Sequence, residues 1–322
     1  YMTANKEIVA GDIGGTNARF CLARIEQGRV VALGETVQIQ TRDVGGFAEA
    51  WGIFARETGR PLPREAAIAI ACPVQGEVLK LTNTHWSIRP AALKAQLGLE
   101  RLDFINDFGA VGHSLSQLQE TDYVHLAGPP GPLPAQGTIT IVGPGTGLGV
   151  AQVLRTATHA HVLECEGGHI SFAPLDEFED ELLARLRARH GRVSAERVVS
   201  GPGLRAIHET LAAARNLPAY PGPDAALWQS GIDGQDEIAM EAISRFGAAL
   251  GAVAGDYALA HGASAVVIAG GIIPRLLHIL PRTGFVHRFL DKGRFQPLMA
   301  RLPVKLIVHA CPGLLGAAST AA

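Results

Sequence analysis

The chain has 322 residues, 47% hydrophobic and 18% charged, with 28 Lys and Arg against 30 Asp and Glu for a formal net charge of −2. That length exceeds the usual size of one core and makes two domains the expectation, while the near-neutral balance provides no field that would gather nucleic acid or an anionic membrane. Residues 265–280 form the longest apolar run of the C-terminal third, but Gly270, Gly271, Pro274 and Arg275 interrupt it too soon for a membrane span.

In chain order, Ile8, Val9 and Ala10 lead into Gly11-Asp12-Ile13-Gly14-Gly15-Thr16-Asn17, and the next residues read as a strand that turns at Gly28. No basic segment, apolar stretch and cleavage site precede them, and Tyr1 ahead of Met2 reads as an addition, so the cytoplasm is the expected location. Residues 30–39 read as one further strand, residues 66–72 as a short apolar strand ending at Pro73, and residues 102–105 as a strand that delivers Asn106 and Asp107. A helix with Val111, Leu115 and Leu118 on one face is expected next. After the proline-rich residues 129–134, an apolar strand enters Gly143-Pro144-Gly145-Thr146-Gly147-Leu148-Gly149, and the sequence beyond it is again extended in character.

Residues 176–190 predict an amphipathic helix with Phe178, Leu182, Leu183 and Leu186 on one face, a Glu181–Arg185 pair and a stop at Gly191. Residues 236–261 predict another, with Ile243, Phe246, Leu250, Val253 and Tyr257 at three- and four-residue steps and Gly262 at its end. A strand over residues 265–269 runs into Gly270-Gly271-Ile272, residues 304–308 read as strand, and Gly313 opens a last helix whose small residues imply close packing. Strand, turn, strand near the start of each half, followed by strands separated by helices, reads as a duplicated unit. The boundary falls between Asp107 and Gly137.

The two glycine turns carry the most chemistry. Each lies between extended segments and adds a threonine hydroxyl to backbone N–H groups that can approach an anion closely, with glycine also free to take positive φ. A plain hairpin turn explains either alone; the pair points to a phosphate clamp. None of the five lysines follows a glycine, which excludes a Walker loop, and neither turn opens a helix as a G-x-G-x-x-G fingerprint would. Asp107, at a strand end where α/β folds place chemistry, is the candidate general base, and Asn106 or Asp107 equally suits the N-cap of the following helix. Its proton transfer would come late, because an alcohol is a far weaker acid than a carboxylic acid. Glu166-Gly167-Gly168-His169 offers a carboxylate and an imidazole for a polyhydroxylated ligand, or is an exposed turn. Glu196 after Ser194 reads locally as a carboxylate on a helix dipole, and Gly270-Gly271 would let a flat base lie against the backbone. His161, Cys165 and His169 have helix-like spacing for zinc, but Gly167 and Gly168 break the helix it requires. Cys21, Cys72, Cys165 and Cys311 form no C-x-x-C pair and suit reduced, buried thiols.

Gly11 to Asn17, Phe104-Ile105-Asn106-Asp107-Phe108, Gly143 to Gly149, Glu166 to His169, Ser194-Ala195-Glu196-Arg197, Ser200-Gly201-Pro202-Gly203 and Ala269 to Ile272 together resemble the bacterial ATP-dependent glucokinases of the hexokinase, actin and heat-shock chaperone superfamily, over essentially the whole chain. No cysteine-rich zinc motif follows the Glu166 segment, as in the zinc-free branch. The resemblance implies an α/β, two-domain actin-like (ribonuclease H-like) ATPase fold with duplicated mixed β-sheets flanked by helices and an interdomain cleft. The small domain would comprise residues 1–117 plus about 305–322 and the large domain 118–304. It implies transfer of the ATP γ-phosphate to the 6-hydroxyl of D-glucose, with Asn106, Asp107, Glu166, His169 and Glu196 on the sugar and Asp107 as base. Gly11, Asp12, Gly14, Gly15, Thr16, Asn17, Gly145, Thr146 and Gly147 would serve the nucleotide phosphates, Gly270 and Gly271 the adenosine, and Asp12 would help place Mg²⁺, through water. A homodimer, and domains that close on glucose to exclude water, are implied as well.

A kinase for another hexose is the alternative within enzymes. A sugar-sensing regulator of the same fold would need a DNA-binding segment, for which the seven residues before the first strand leave no room. A chaperone or filament ATPase would leave the Glu166 segment unexplained.

Overall fold

The computed structural model describes residues 5–81 and 84–322, so the reading of Tyr1 and Met2 lies outside the described residues. Its contacts group into two units, Tyr1–Gln119 with His309–Ala322, and Glu120–Val308.

The first unit opens with an antiparallel hairpin of β1 (Lys6–Ile13) and β2 (Asn17–Glu26). Gln27 and Gly28, with φ of 50° and 75°, close the next hairpin onto β3 (Arg29–Leu33); left-handed backbone at both positions matches the twist of paired strands. The single strand expected over residues 30–39 is two. β3 pairs with residues 23–26 of β2, and β4 (Val37–Gln40) pairs with residues 17–20 of the same strand, so the chain must step between registers. Gly34 makes that step against the Leu22 carbonyl, which a Cβ would approach to 3.3 Å.

α1 (Phe47–Thr58) leads to β5 (Glu65–Ile70), parallel to β1, and the short pair β6 (Leu79–Lys80) and β7 (Ser87–Ile88) follows. Next, α2 (Pro90–Gln96) delivers β8 (Arg101–Asn106), parallel to β5, and α3 (Asp107–Ser114) starts without a break. Leu118, expected on the apolar face of α3, lies past its end at Ser114. The sheet runs β3-β2-β1-β5-β8, with β4 also on β2. Successive β1 residues serve opposite faces, as the two-residue strand period requires: Val9 and Ile13 join Phe20, Phe47, Trp51 and Phe54, whereas Ile8 and Ala10 join Cys21, Ala67 and Leu314. Phe20 meets Phe47 edge-on at 5.6 Å and stacks on Phe54 at 5.5 Å, each such pair adding about 0.5–1.5 kcal/mol beyond area burial.

The second unit contains β9 (Tyr123–Ala127), β10 (Gly137–Pro144), β11 (Leu148–Arg155), β12 (Ala160–Cys165), α4 (Glu177–His190), α5 (Gly201–Ala214), α6 (Asp224–Ile232), α7 (Glu237–Ala260), β13 (Ala263–Ile268), α8 (Phe285–Leu290), α9 (Gln296–Met299) and β14 (Val304–Ile307). Its sheet order is β12-β11-β10-β13-β14-β9. Strands β12 to β14 of that order repeat the first sheet: three antiparallel strands, then two parallel ones. The duplication read from element order is therefore present in topology. β14 belongs to the second sheet, and the chain then returns to the first unit as α10 (Pro312–Ser319), whose Gly316 lies so close to α3 that a Cβ would fall 1.6 Å from the Ala110 carbonyl oxygen.

The helix boundaries follow their caps. Asp176 accepts from the Glu179 N–H at 2.8 Å to start α4, Gly191 (φ 72°) ends it, and Arg185 bonds Glu181 at 2.6 Å. Asp236 accepts from Ala239 N–H at 2.9 Å to start α7, with Gly262 (φ 57°) just beyond its end. α7 has 24 residues and a mean hydropathy of 1.2 over its most apolar window, enough in length and composition to cross a membrane; 67% of that window is buried in this unit, where the helix packs against α5, α6 and α8 as its central core helix. His161 and Cys165 lie on strand β12, and His169 in a separate 3₁₀ turn, so the three never share a helix face.

His208 of α5 is 2% exposed, and neither ring nitrogen has a hydrogen-bond partner among the described residues. Burial lowers its pKa; Asp236 and Glu209 oppose that and Arg205 adds to it. Protons then bind the unfolded chain more readily than the fold below about pH 6.5, so this contribution to stability is complete above that pH and declines as pH falls toward the lowered folded value. The expected result is a urea midpoint that drops between pH 7.5 and 5.5, at no more than about 1.4 kcal/mol per pH unit from this group, and drops less in His208→Phe. An equal drop in both proteins would remove His208 as a cause.

Candidate active site

In the first unit the parallel strands β1, β5 and β8 end side by side, with Ile13 opposite Ile70 and Ile70 opposite Asn106. Such an edge is where α/β sheets bind ligands. Asn106 caps α3, its Oδ1 accepting from Phe108 N–H at 3.0 Å and Gly109 N–H at 3.1 Å, and Asp107 Oδ1 accepts from Phe108 N–H at 2.9 Å. The N-cap reading thus holds for Asn106, and it fixes the first residue of α3, Asp107, at the sheet edge.

Asp12 lies near the end of β1, separated from β8 by β5. Burial pushes its carboxyl up from the ordinary carboxylate range, and Arg19, whose Nη1 is 4.0 Å away, pulls it back only in part. Gly313 of α10 leaves it room, since a Cβ there would sit 2.9 Å from Oδ2. A carboxylate with so little compensating charge fits a divalent cation. Gly11 is buried within β1, its Cα facing Ile68, whose Cδ1 would be 2.6 Å from a Cβ. The turn Gly14-Gly15-Thr16 is closed by Gly14 N–H donating to Asn17 O at 2.9 Å. Thr41, absent from the sequence expectations, donates its N–H to the Thr16 carbonyl at 3.0 Å and its hydroxyl to the Gly15 carbonyl at 2.7 Å. With both carbonyls engaged from that side, the turn can offer donors to a ligand. The Asn17 Oδ1 accepts from Gln38 and Gln40 at 3.1 and 3.3 Å.

In the second unit, Gly145-Thr146-Gly147 joins β10 to β11, closed by Gly145 N–H donating to Gly147 O at 2.8 Å. Neither turn uses left-handed backbone: the glycines with φ between +20° and +160° lie elsewhere. Close approach is what Gly147 supplies, because a Cβ would meet Glu196 Oε2 at 2.4 Å. That oxygen accepts from Leu148 N–H at 2.9 Å, so Glu196, which lies in the first turn of its own 3₁₀ helix (Ala195–Arg197), also reaches the second glycine turn. The start of α5 is also fastened to the turn, Gly201 N–H donating to Gly145 O at 2.7 Å with Ser200 as N-cap; the helix adds positive potential there.

Glu166 precedes, and His169 ends, a 3₁₀ turn (Gly167–His169) laid on β11. A Cβ on Gly168 would come within 2.1 Å of the Leu148 carbonyl oxygen, and His169 Nε2 is 3.9 Å from Glu166 Oε2. Arg192 donates to the His169 carbonyl at 2.7 Å, and Ala195 N–H to the Ile170 carbonyl at 2.8 Å, which binds the segment of Glu196 to that of His169. Leu148 is the shared contact: its N–H holds Glu196 and its carbonyl supports Gly168. Gly270, at φ 100°, lies against the Pro144 carbonyl, 2.4 Å from a would-be Cβ, while Gly271 has nothing within 4 Å of a Cβ. The second turn, the Glu166 segment, Glu196 and the glycine pair are thus brought together in one unit. Asp12, the first turn, Asn106 and Asp107 belong to the other.

The glucokinase family model matches residues 9–322. The chain is 53% identical to the glucokinase of Zymomonas mobilis over 313 residues, 97% of each chain. A glucokinase crystal structure from an Antarctic psychrotroph superposes with a TM-score of 0.82 at 32% identity, covering 98% of both chains. A ROK family glucokinase from Streptomyces griseus, solved with glucose and AMPPNP, shares the fold with a TM-score of 0.69 at 18% identity over 98% of this chain and 99% of that one. The duplicated sheets are those of the actin-like ATPase fold, and with nearly its whole length matched, this chain belongs to the glucokinase family.

Proposed function

We infer that the protein is an ATP-dependent glucokinase, transferring the γ-phosphoryl group of ATP to the 6-hydroxyl of D-glucose to give glucose 6-phosphate and ADP, the entry step of glycolysis. The observation that supports a sugar kinase from within is the junction at Leu148, where a turn suited to phosphate meets two segments suited to sugar hydroxyls.

In this reading Asn106, Asp107, Glu166, His169 and Glu196 bind the hexose. Gly14, Gly15 and Thr16, with Gly11 and Asn17 shaping that turn, and Gly145, Thr146 and Gly147 donate to the phosphates, while Gly270 and Gly271 border the adenosine. Phosphoryl transfer passes through a loose transition state and is catalysed mainly by positioning and charge. Asp107 accordingly orients the 6-hydroxyl and takes its proton late, with its backbone held by the Asn106 cap. Asp12 would hold Mg²⁺ through water; when bound, that ion neutralises charge on the phosphate oxygens. Residues 1–119 with 309–322 act as the small domain and 120–308 as the large one. We also place the enzyme in the cytoplasm as a homodimer, in keeping with four free thiols and the resemblance to its family.

A coupled ADP-release assay over glucose, mannose, fructose and glucosamine tests the reading. Glucose should give the highest kcat/KM, because a site built to bond particular hydroxyls discriminates strongly against analogues that leave its polar groups unpaired. A higher value for another hexose would reassign the substrate, and ADP release that no sugar stimulates would end the kinase reading.

A further inference from the structure

The peptide between Glu166 and His169 is gripped from several directions. Gly167 rests on Val150, whose Cβ would lie 2.7 Å from a Cβ on the glycine, and Gly168 rests on the Leu148 carbonyl. Both contacts are steric and limit how near the turn comes to β11. The Gly167 carbonyl is held twice: the Ile170 N–H donates to it at 2.9 Å within the turn, and from outside the turn the Tyr257 hydroxyl of α7 donates to it at 2.5 Å.

Tyr257 is 3% exposed and sits among apolar core residues of α7, where a phenylalanine would fill the same volume. Its ring stacks on His261 at 5.7 Å, and His261 Nδ1 lies 3.0 Å from Thr140 Oγ1, so the phenol is braced from behind. Cys165, which leads into the sugar segment, bonds the Val150 carbonyl through Sγ at 3.3 Å. Burial, with smaller contributions from Cys165 and Asp256, raises the Tyr257 pKa well above its ordinary value, which keeps the hydroxyl a neutral donor at any working pH.

We propose that Tyr257 is a positioning residue for hexose recognition: by holding the Gly167 carbonyl it sets the directions in which Glu166 and His169 project, and so sets sugar affinity without touching sugar. The proposal rests on the reading that Glu166 and His169 bind the hexose. Without the Tyr257 hydroxyl the Gly167 carbonyl would keep only the Ile170 N–H at 2.9 Å, a bond inside the turn that does not tie it to α7, so the turn could tilt as a whole; because binding hydroxyls requires fixed angles, small rotations are costly.

The experiment is steady-state kinetics on the full chain, varying glucose and ATP separately, for the wild type, Tyr257→Phe, Glu166→Ala and His169→Asn. Tyr257→Phe should raise KM for glucose about tenfold, equivalent to about 1.4 kcal/mol, with KM for ATP and kcat each within about twofold. p-Aminophenylalanine at position 257, which restores a donor on the same ring, should return KM for glucose to within about twofold of wild type. An unchanged KM for glucose in a folded Tyr257→Phe enzyme overturns the proposal, as does a p-aminophenylalanine enzyme no better than the phenylalanine one. A lower melting temperature with unchanged KM would mark the bond as merely structural and overturns it too. If Tyr257→Phe does not fold, Val150→Ala decides: it loosens the seat of the same turn, and a raised KM for glucose supports control by turn position whereas an unchanged one overturns it. Glu166→Ala and His169→Asn separate the two levels. If neither alters KM for glucose, the sugar-site reading fails; if they do and Tyr257→Phe does not, the positioning role alone fails.

Discussion

Asp107→Asn is expected to lower kcat by about 10²- to 10⁴-fold, the usual range for a positioned acid or base, while KM for glucose and ATP stays within a few-fold. The substitution is isosteric, and its amide oxygen can still accept the Phe108 N–H bond that Asp107 Oδ1 accepts at 2.9 Å. Asn106 continues to cap α3 through Phe108 and Gly109, so the backbone has no reason to move. What disappears is a carboxylate able to take the hydroxyl proton as the phosphoryl group arrives. A loss shared by kcat and kcat/KM would identify an interaction made only in the transition state. Turnover within threefold of wild type would remove Asp107 as the base.

Gly316→Ala is the second large effect, through packing instead of chemistry. The new methyl would stand 1.6 Å from the Ala110 carbonyl oxygen and 2.5 Å from its carbon, both backbone atoms that no side-chain rotation can move aside. α10 must separate from α3, and overpacking of this kind costs about 1–3 kcal/mol or more, equivalent to a drop of several degrees in melting temperature. Activity should fall further than stability accounts for. α3 begins at Asp107 and α10 carries Gly313 beside Asp12, so the shift reaches both of the candidate site carboxylates in this unit; misplacement by about 1 Å can cost about 100-fold. Differential scanning calorimetry with kcat on the folded fraction would check it, and a variant with the wild-type melting temperature would contradict the packing described.

The elements legible in the sequence were those whose signals are local. The hairpins at residues 14–16 and 145–147 stood out because glycine and threonine interrupt extended apolar runs, and α4 and α7 because Asp176, Gly191, Asp236 and Gly262 mark their ends. The break between β3 and β4 was not legible, since it arises only when both strands compete for different stretches of β2. The same holds for the site. Asn106, Asp107 and the Glu166 segment could be singled out by residue type and position. That Glu196 bonds Leu148, 48 residues away, that Thr41 engages the first turn, and that Tyr257 bonds Gly167, 90 residues away, depends on long-range packing that no window of sequence contains. Tyr257 was visible only as one more apolar step along a helix.

The division of the chain also orders its synthesis. Residues 120–308 are contiguous, whereas the first unit needs residues 309–322 to cover the face of β1 that packs Ile8 and Ala10 against Leu314 and Ala317. Translation proceeds at about 5–20 residues per second, so a nascent first unit spends about 10–40 seconds with that face bare. During that interval it is the half of the molecule exposed to aggregation and to chaperone capture, even though it was made first.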